Sequence, residues 1–245
     1  MRSIHHPGTP DSEKVNAVSG FAENVTLQLK PGTSLLAGLE LALRPFSAKS
    51  AVLRLKNGAF EPFCYVMPAL SKSPAHAVYF SDRYDVAGKV RLETASVTFG
   101  QRDKQPWLHC HAVWLEPDGT KRCGHLLPED ILITEAIEAD VTILRGAGYC
   151  VVPDRETNFS LFVPVAYQDN AYAPATKDQV LSNAAAPNTQ KVFALRLSPN
   201  VDVCESLESF CQANHISSAT VLGGVGSTVG VVFEDARVVE PFVTE

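Results

Sequence analysis

The clearest regularity along the chain is an alternation that gives way to a longer period. Val25, Leu27 and Leu29 alternate with Thr26, Gln28 and Lys30, the period of a half-buried strand, and Pro31-Gly32 ends it. Ser34 stands where a helix N-cap is wanted, ahead of Leu35, Leu36, Leu39 and Leu43 on one helical face, and Pro45 closes the helix. Residues 50–55 read as the next strand. The same order then returns. Laying residues 195–221 on residues 27–53 without a gap puts Leu195 and Leu197 on Leu27 and Leu29, and Pro199 on Pro31. Asp202 falls on Ser34, and Glu205 completes a capping box with it. Val203, Leu207 and Cys211 take the apolar helix positions, and Ser218-Ala219 falls on Ser50-Ala51. The matches lie on strand faces, helix core and punctuation. They predict two copies of one strand–helix–strand unit.

After the first copy the chain reads as strands at 63–68, 76–80, 89–99, 107–115, 121–127, 136–144 and 158–163, with few helix signals. Residues 166–190 are rich in Ala, Asn, Pro and Gln and lack a sustained apolar period, as a linker does. The second copy has no comparable run of strands before Glu245. The expected organisation is an N-terminal arm (1–24), a full unit (25–165), a linker (166–190) and a partial second unit (191–245). The fold class is α+β, built on an antiparallel sheet with few helices and duplicated in part.

The densest chemistry lies on one of these strand pairs. Pro117-Asp118-Gly119 is a turn with a mechanism: Pro presets φ, Asp suits the next position and Gly accepts a left-handed conformation. A three-residue loop makes Glu116 face Thr120, and therefore makes His111 face His125 across the ladder. His109, two residues from His111, shares that face, and Cys123 lies beside the group. A two-residue loop would turn His125 to the other face. Three neutral imidazoles with one position left open are a known arrangement for zinc. His109, His111 and His125 are thus candidate metal ligands, for a divalent ion of which zinc is the first choice. Cys110 points the other way and is expected in the core.

Composition narrows the classes. The chain has 245 residues, 45% of them hydrophobic, and a net charge of −6 from 21 basic and 27 acidic side chains. Phosphate-backbone binding rests on clustered Lys and Arg, so general nucleic-acid binding is disfavoured. Residues 1–12 hold no apolar run of the kind a secretory signal needs, and no stretch is long and apolar enough for a membrane span. The six cysteines form no CxxC pair, which points to free thiols and a cytoplasmic setting. Gly224-Val225-Gly226 follows an apolar run, but the next residues read as strand, so a dinucleotide fingerprint is rejected. His76 reads as a strand-end surface residue near Asp82 and Asp85.

His109-Cys110-His111, Asp118-Gly119 and Gly124-His125-Leu126-Leu127 together resemble the plants-and-prokaryotes-conserved (PPC) domain, which in plants follows AT-hooks. That family's pattern is H-x-H, a D-G turn and G-G-H-L; Cys123 stands where its first Gly is usual. Arg91-Leu92-Glu93 looks like the R-F-E of its G-R-F-E-I-L segment, with Val90 in place of the Gly, and marks Arg91 and Glu93, with Cys123, as a candidate neighbouring site. Residues 221–227 resemble the family's G-x-G-S turn, which the first copy lacks. The resemblance implies a PPC-like α+β fold, trimeric assembly, a metal on these histidines in some prokaryotic members, and a DNA-binding label from plant relatives. No Arg-Gly-Arg-Pro hook accompanies it here.

Three function classes follow. The first is an oligomeric, metal-binding PPC-like module with a regulatory or small-ligand-binding task. The second is a metal-dependent enzyme acting on a small substrate at the open position. Against it, Glu93 and Glu116 are the only nearby carboxylates, and the register sets Glu116 on the opposite face. The third is a DNA-associated protein. No membrane partner is expected.

Overall fold

The computed structural model describes residues 2–168, 190–239 and 243–244. In chain order the elements are β1 (Val15–Leu29), α1 (Leu35–Leu43), β2 (Ala51–Lys56), β3 (Ala59–Phe60), β4 (Phe63–Val66), β5 (Pro68–Leu70) and β6 (Val78–Phe80). Then come β7 (Tyr84–Val86), β8 (Val90–Arg102), β9 (Gln105–Leu115), β10 (Lys121–Leu126), β11 (Ile133–Glu135) and β12 (Ile137–Arg145). The chain continues with β13 (Ala147–Pro153), β14 (Ser160–Ala166), β15 (Lys191–Leu197), α2 (Val203–Ala213), β16 (Val231–Val232) and β17 (Val238–Val239). This is an α+β fold, a mostly antiparallel sheet with two short α-helices among the described residues. The main sheet runs β15-β1-β12-β2-β8-β9-β10-β4-β7.

Both helix starts expected from the pattern are present. The Ser34 side chain accepts from the Ala37 amide at 3.3 Å, and Asp202 accepts from the Glu205 amide at 3.0 Å. Each satisfies one of the amides that a helix start leaves without an intrahelical partner. The helices then differ. α1 buries Leu35, Leu39 and Leu43 against one face of the sheet, in a core that includes Leu53, Leu55, Val97, Phe99, Cys110, Ala112 and Trp114. Cys110 is thus in the core, as its strand parity requires. Trp114 is fully buried, with its ring 5.0 Å from Phe63 and 4.7 Å from Tyr65. α2 buries no residue; its Phe210 ring meets Phe193 of β15 at 5.1 Å, while Val203 stays exposed.

Three features depart from the sequence pattern. First, β1 begins at Val15, well inside the stretch expected to be an arm, because residues 15–21 pair antiparallel with β15 while residues 21–29 pair with β12. Second, the strand expected at 218–221 by analogy with β2 does not form: strand structure among the described residues of that region begins at Val231. In the first unit, β2 is held between β12 and β8, and the second unit has no such neighbours among the described residues. A strand and a capped helix occur there in the expected order; the second strand does not. Third, residues 147–153, outside the expected strands, form β13, which makes a hairpin with β14. Most of the expected linker, residues 169–189, lies outside the described residues.

The unequal sides of α1 give a direct test of the core. Leu39 is fully buried and Leu41 is 49% exposed. Denaturant unfolding should show Leu39→Ala destabilised by about 2–5 kcal/mol, the usual cost of emptying a packed leucine site. Leu41→Ala should stay within about 0.5 kcal/mol of the parent.

Candidate metal centre

The β9–β10 hairpin closes as the turn chemistry requires. The Glu116 amide donates to the Thr120 carbonyl and the Gly119 amide to the Glu116 carbonyl, each at 2.9 Å. The Asp118 carboxylate accepts from the Thr120 amide at 2.8 Å, and Gly119 takes a φ of +84°, which a residue with a side chain adopts only at a cost. The register that follows pairs Lys121 with Leu115, Cys123 with Val113 and His125 with His111. On the other side of β9, His111 faces Ser96 and His109 faces Thr98 of β8.

Strand parity sends Leu108, Cys110, Ala112 and Trp114 into the core with α1. His109, His111 and His125 project from the opposite, outer face, all three half-buried. One ligand atom from each ring lies within 4.8 Å of the other two. The Nε2 atoms of His109 and His111 are 2.9 Å apart, and the ring centroids of His109 and His125 are separated by 4.5 Å. Zinc bonds of about 2.0–2.1 Å at tetrahedral angles need nitrogens about 3.3 Å apart, within the range these rings span. His125 Nδ1 is buried with no hydrogen-bond partner. A buried polar atom without a partner costs about 1–3 kcal/mol, so this nitrogen is suited to a group that would complete it.

Electrostatics point the same way. Burial, then the neighbouring His125 and His111, hold His109 well below the usual imidazole range. Burial pushes His111 down to about 4, and burial together with His111 pushes His125 down to about 4. The rings are therefore neutral at neutral pH, the form that ligates a metal. A donor set of three neutral imidazoles with one orphaned nitrogen fits a divalent cation.

The other candidates fall elsewhere. Cys123 is an exposed free thiol on the same hairpin, outside the ligand group, and lines an open cleft of about 570 Å³ with Tyr65, Met67, Tyr84 and Arg122. Arg91 pairs with Glu135 at 3.4 Å and Glu93 with Lys121 at 2.8 Å. Glu93 occupies a bulge in β8, and both residues lie toward the Leu115 end of the ladder, away from the histidines. Glu116 pairs with Arg122 at 3.4 Å. His76 packs its ring on Phe159 at 4.7 Å and on Tyr79 at 5.2 Å.

The pattern of the chain did not reveal the aromatic residues beside the centre. Phe80 of β6 sets its ring 4.8 Å from His125, and Tyr79 next to it stacks on Phe159 at 5.6 Å, joining the β5–β6 and β13–β14 hairpins. Gly124 also has a local reason. A Cβ there would stand 2.9 Å from Met67 Sδ and 3.1 Å from the Val66 carbonyl oxygen, so a glycine lets β4 pair beside His125 without displacing either.

The depressed imidazoles make the metal-free fold acid-sensitive. Between pH 6.5 and about 4 the unfolded chain takes up protons that the folded His111 and His125 refuse, so stability present above 6.5 is lost as the pH falls through that window. Urea unfolding across this range should give a positive slope of stability with pH. His111→Gln should flatten the slope; an identical slope in the variant would refute the assignment.

Among known proteins, residues 184–242 match the family model of the Plants and Prokaryotes Conserved (PCC) domain. No curated protein matches the chain. Several solved structures are similar. A plant- and prokaryote-conserved (PPC) protein of Pyrococcus horikoshii is 14% identical with a TM-score of 0.49, over 60% of this chain and 94% of its own. A metal-containing protein of Archaeoglobus fulgidus is 20% identical with a TM-score of 0.46, over 58% and 94% of the respective chains. A hypothetical protein of Salmonella enterica is 13% identical with a TM-score of 0.46, over 61% and 97%. Among the described residues no helix is long and apolar enough to cross a membrane. The family match over 184–242 falls largely on the second unit, and it is to the same family that the histidine motifs of the first unit are similar.

Proposed function

We propose that this chain is an oligomeric PPC-like module that binds one divalent metal, zinc by choice of ligands, through His109, His111 and His125. Its task is regulatory or small-ligand-binding. The observation that carries the reading is the convergence of three neutral imidazoles, one with an unpartnered buried nitrogen, on a single outer face. A cation bound there would supply a Lewis-acid centre with a position open to water or a small donor. The protein's part is to keep the imidazoles deprotonated, through burial, and aligned, through the hairpin register.

The module reading ranks above the enzyme reading because of what surrounds the rings. The carboxylates expected nearby, Glu93 and Glu116, are engaged with Lys121 and Arg122. The ligand group contains no carboxylate that could serve as a general base. DNA association ranks last, on the net charge of −6. Homo-oligomerisation, with a trimer as the expected state, follows from the family resemblance, and sedimentation of the full chain measures it.

Elemental analysis of protein purified without an affinity tag should find about one metal per chain, as three imidazoles and one open position would hold. His109→Ala, His111→Ala and His125→Ala should each lower occupancy sharply while leaving the far-ultraviolet spectrum unchanged. Cys123→Ser should retain the metal. Occupancy should persist to pH values below 6 and fall as the imidazoles protonate near 4. Histidine variants with parental metal content would remove the reading. In a second measurement, duplex DNA at physiological salt should not bind saturably below about 10⁻⁶ M, the tight end of the non-specific range.

A further inference from the structure

The segment that follows α2 lies across the outer face of the first unit's sheet. Gly223 sits so close to β2 that a Cβ there would stand 2.6 Å from Val52 Cγ1 and 3.6 Å from Ser96 Oγ. One residue on, the Gly224 carbonyl accepts a hydrogen bond from Ser96 Oγ at 3.0 Å. Val52 is on β2 and Ser96 on β8, and these strands are adjacent. The contacts therefore span the ladder from one strand to the next.

The next strand across is β9, and the residue on it that faces Ser96 is His111. Side chains directly opposite on an antiparallel pair share a face, with Cβ atoms about 4.5–5.5 Å apart. The Gly224 carbonyl is thus bonded to the immediate neighbour of a ligand imidazole. On the far side, beyond β9, Phe80 lies over His125. The histidines are flanked by backbone from the second unit on the β8 side and by an aromatic ring on the β10 side. Residue 223 must be small for this to hold, because any side chain would collide with Val52.

We propose that the backbone at Gly223 and Gly224 forms a wall of the His109–His111–His125 site, contributed in cis by the second unit, and that this wall limits access to the open side of the centre. Gly223, at the start of the glycine-rich run that fits no dinucleotide fingerprint, has a use here, as backbone thin enough to lie on the sheet at Val52. The wall's role as a gate for metal and ligand rests on the metal-binding reading; its position does not.

The test uses the full chain and two variants, Ser96→Ala, which removes the hydrogen bond, and Gly223→Val, which forces the segment off Val52. In the metal-stripped proteins, diethyl pyrocarbonate modification of His109 and His111 is followed by peptide mass spectrometry, with the exposed His215 as internal reference. Both variants should expose the site histidines, Gly223→Val by about tenfold in rate, the factor that about 1.4 kcal/mol of lost contact supplies. His215 should not change. In the metal-loaded proteins, loss of metal to EDTA should accelerate in the same order. Unfolding midpoints close to the parent's establish that the fold is kept, and Ser96→Ala carries the test if Gly223→Val fails to fold. Equal modification rates in all chains overturn the wall. A parent chain that holds no metal but whose histidines are unmasked in the variants supports the wall and removes the metal reading. A parent that holds metal, with no rate altered in either variant, does the reverse.

Discussion

The centre depends on one register, that of the β9–β10 hairpin. A strand has a side-chain period of two, so a slip of a single residue would carry His125 from the outer face into the core and bring Gly124 to the place opposite His111. The register is held by a small set of local bonds: Glu116 to Thr120, Gly119 to Glu116, and the Asp118 carboxylate to the Thr120 amide. Proline at 117 and glycine at 119 make those bonds the easiest way for the chain to turn. On the inner face, fully buried Leu126 holds the same phase, because the slipped pairing would turn it outward. The turn and the core therefore choose the same alignment, and that agreement puts three imidazoles in one place.

Placing them there sets their chemistry. Imidazoles on an exposed sheet face would titrate near their ordinary value and spend part of their time as cations repelling one another. Here burial on the outer face removes the charged form from the range of neutral pH. The cost appears as an unpartnered nitrogen on His125. Folded proteins rarely keep such an atom in the interior without a use for it.

The parts of this architecture that the residues announced are those governed by neighbours in sequence. Ser34 and Asp202 cap their helices because capping is settled within four consecutive residues, and the Pro117-Asp118-Gly119 loop is likewise local. The histidine constellation followed from that loop by counting along two strands. The remaining features depend on contacts distant in sequence. Residues 15–20 show no strong alternation and become strand because β15 supplies a partner. Residues 218–221 align with a strand yet remain outside any ladder, because the flanking strands that hold β2 have no counterpart there among the described residues. Phe80 and Phe159 each look like ordinary apolar residues; the placing of Phe80 against His125 and of Phe159 against Tyr79 is set by how two hairpins fold over the sheet.

β1 belongs to both units. Its first half is laddered to β15 and its second half to β12, with Phe21 paired to both Lys191 and Arg145. A boundary drawn through residues 166–190 divides the sequence but not the sheet. Pulling β15 away would leave half of a continuous strand with a bare edge, so fraying at one end is transmitted along a single backbone to the other. Separating the two units as independent modules would create, on the larger piece, a new sticky edge where pairing between chains can begin.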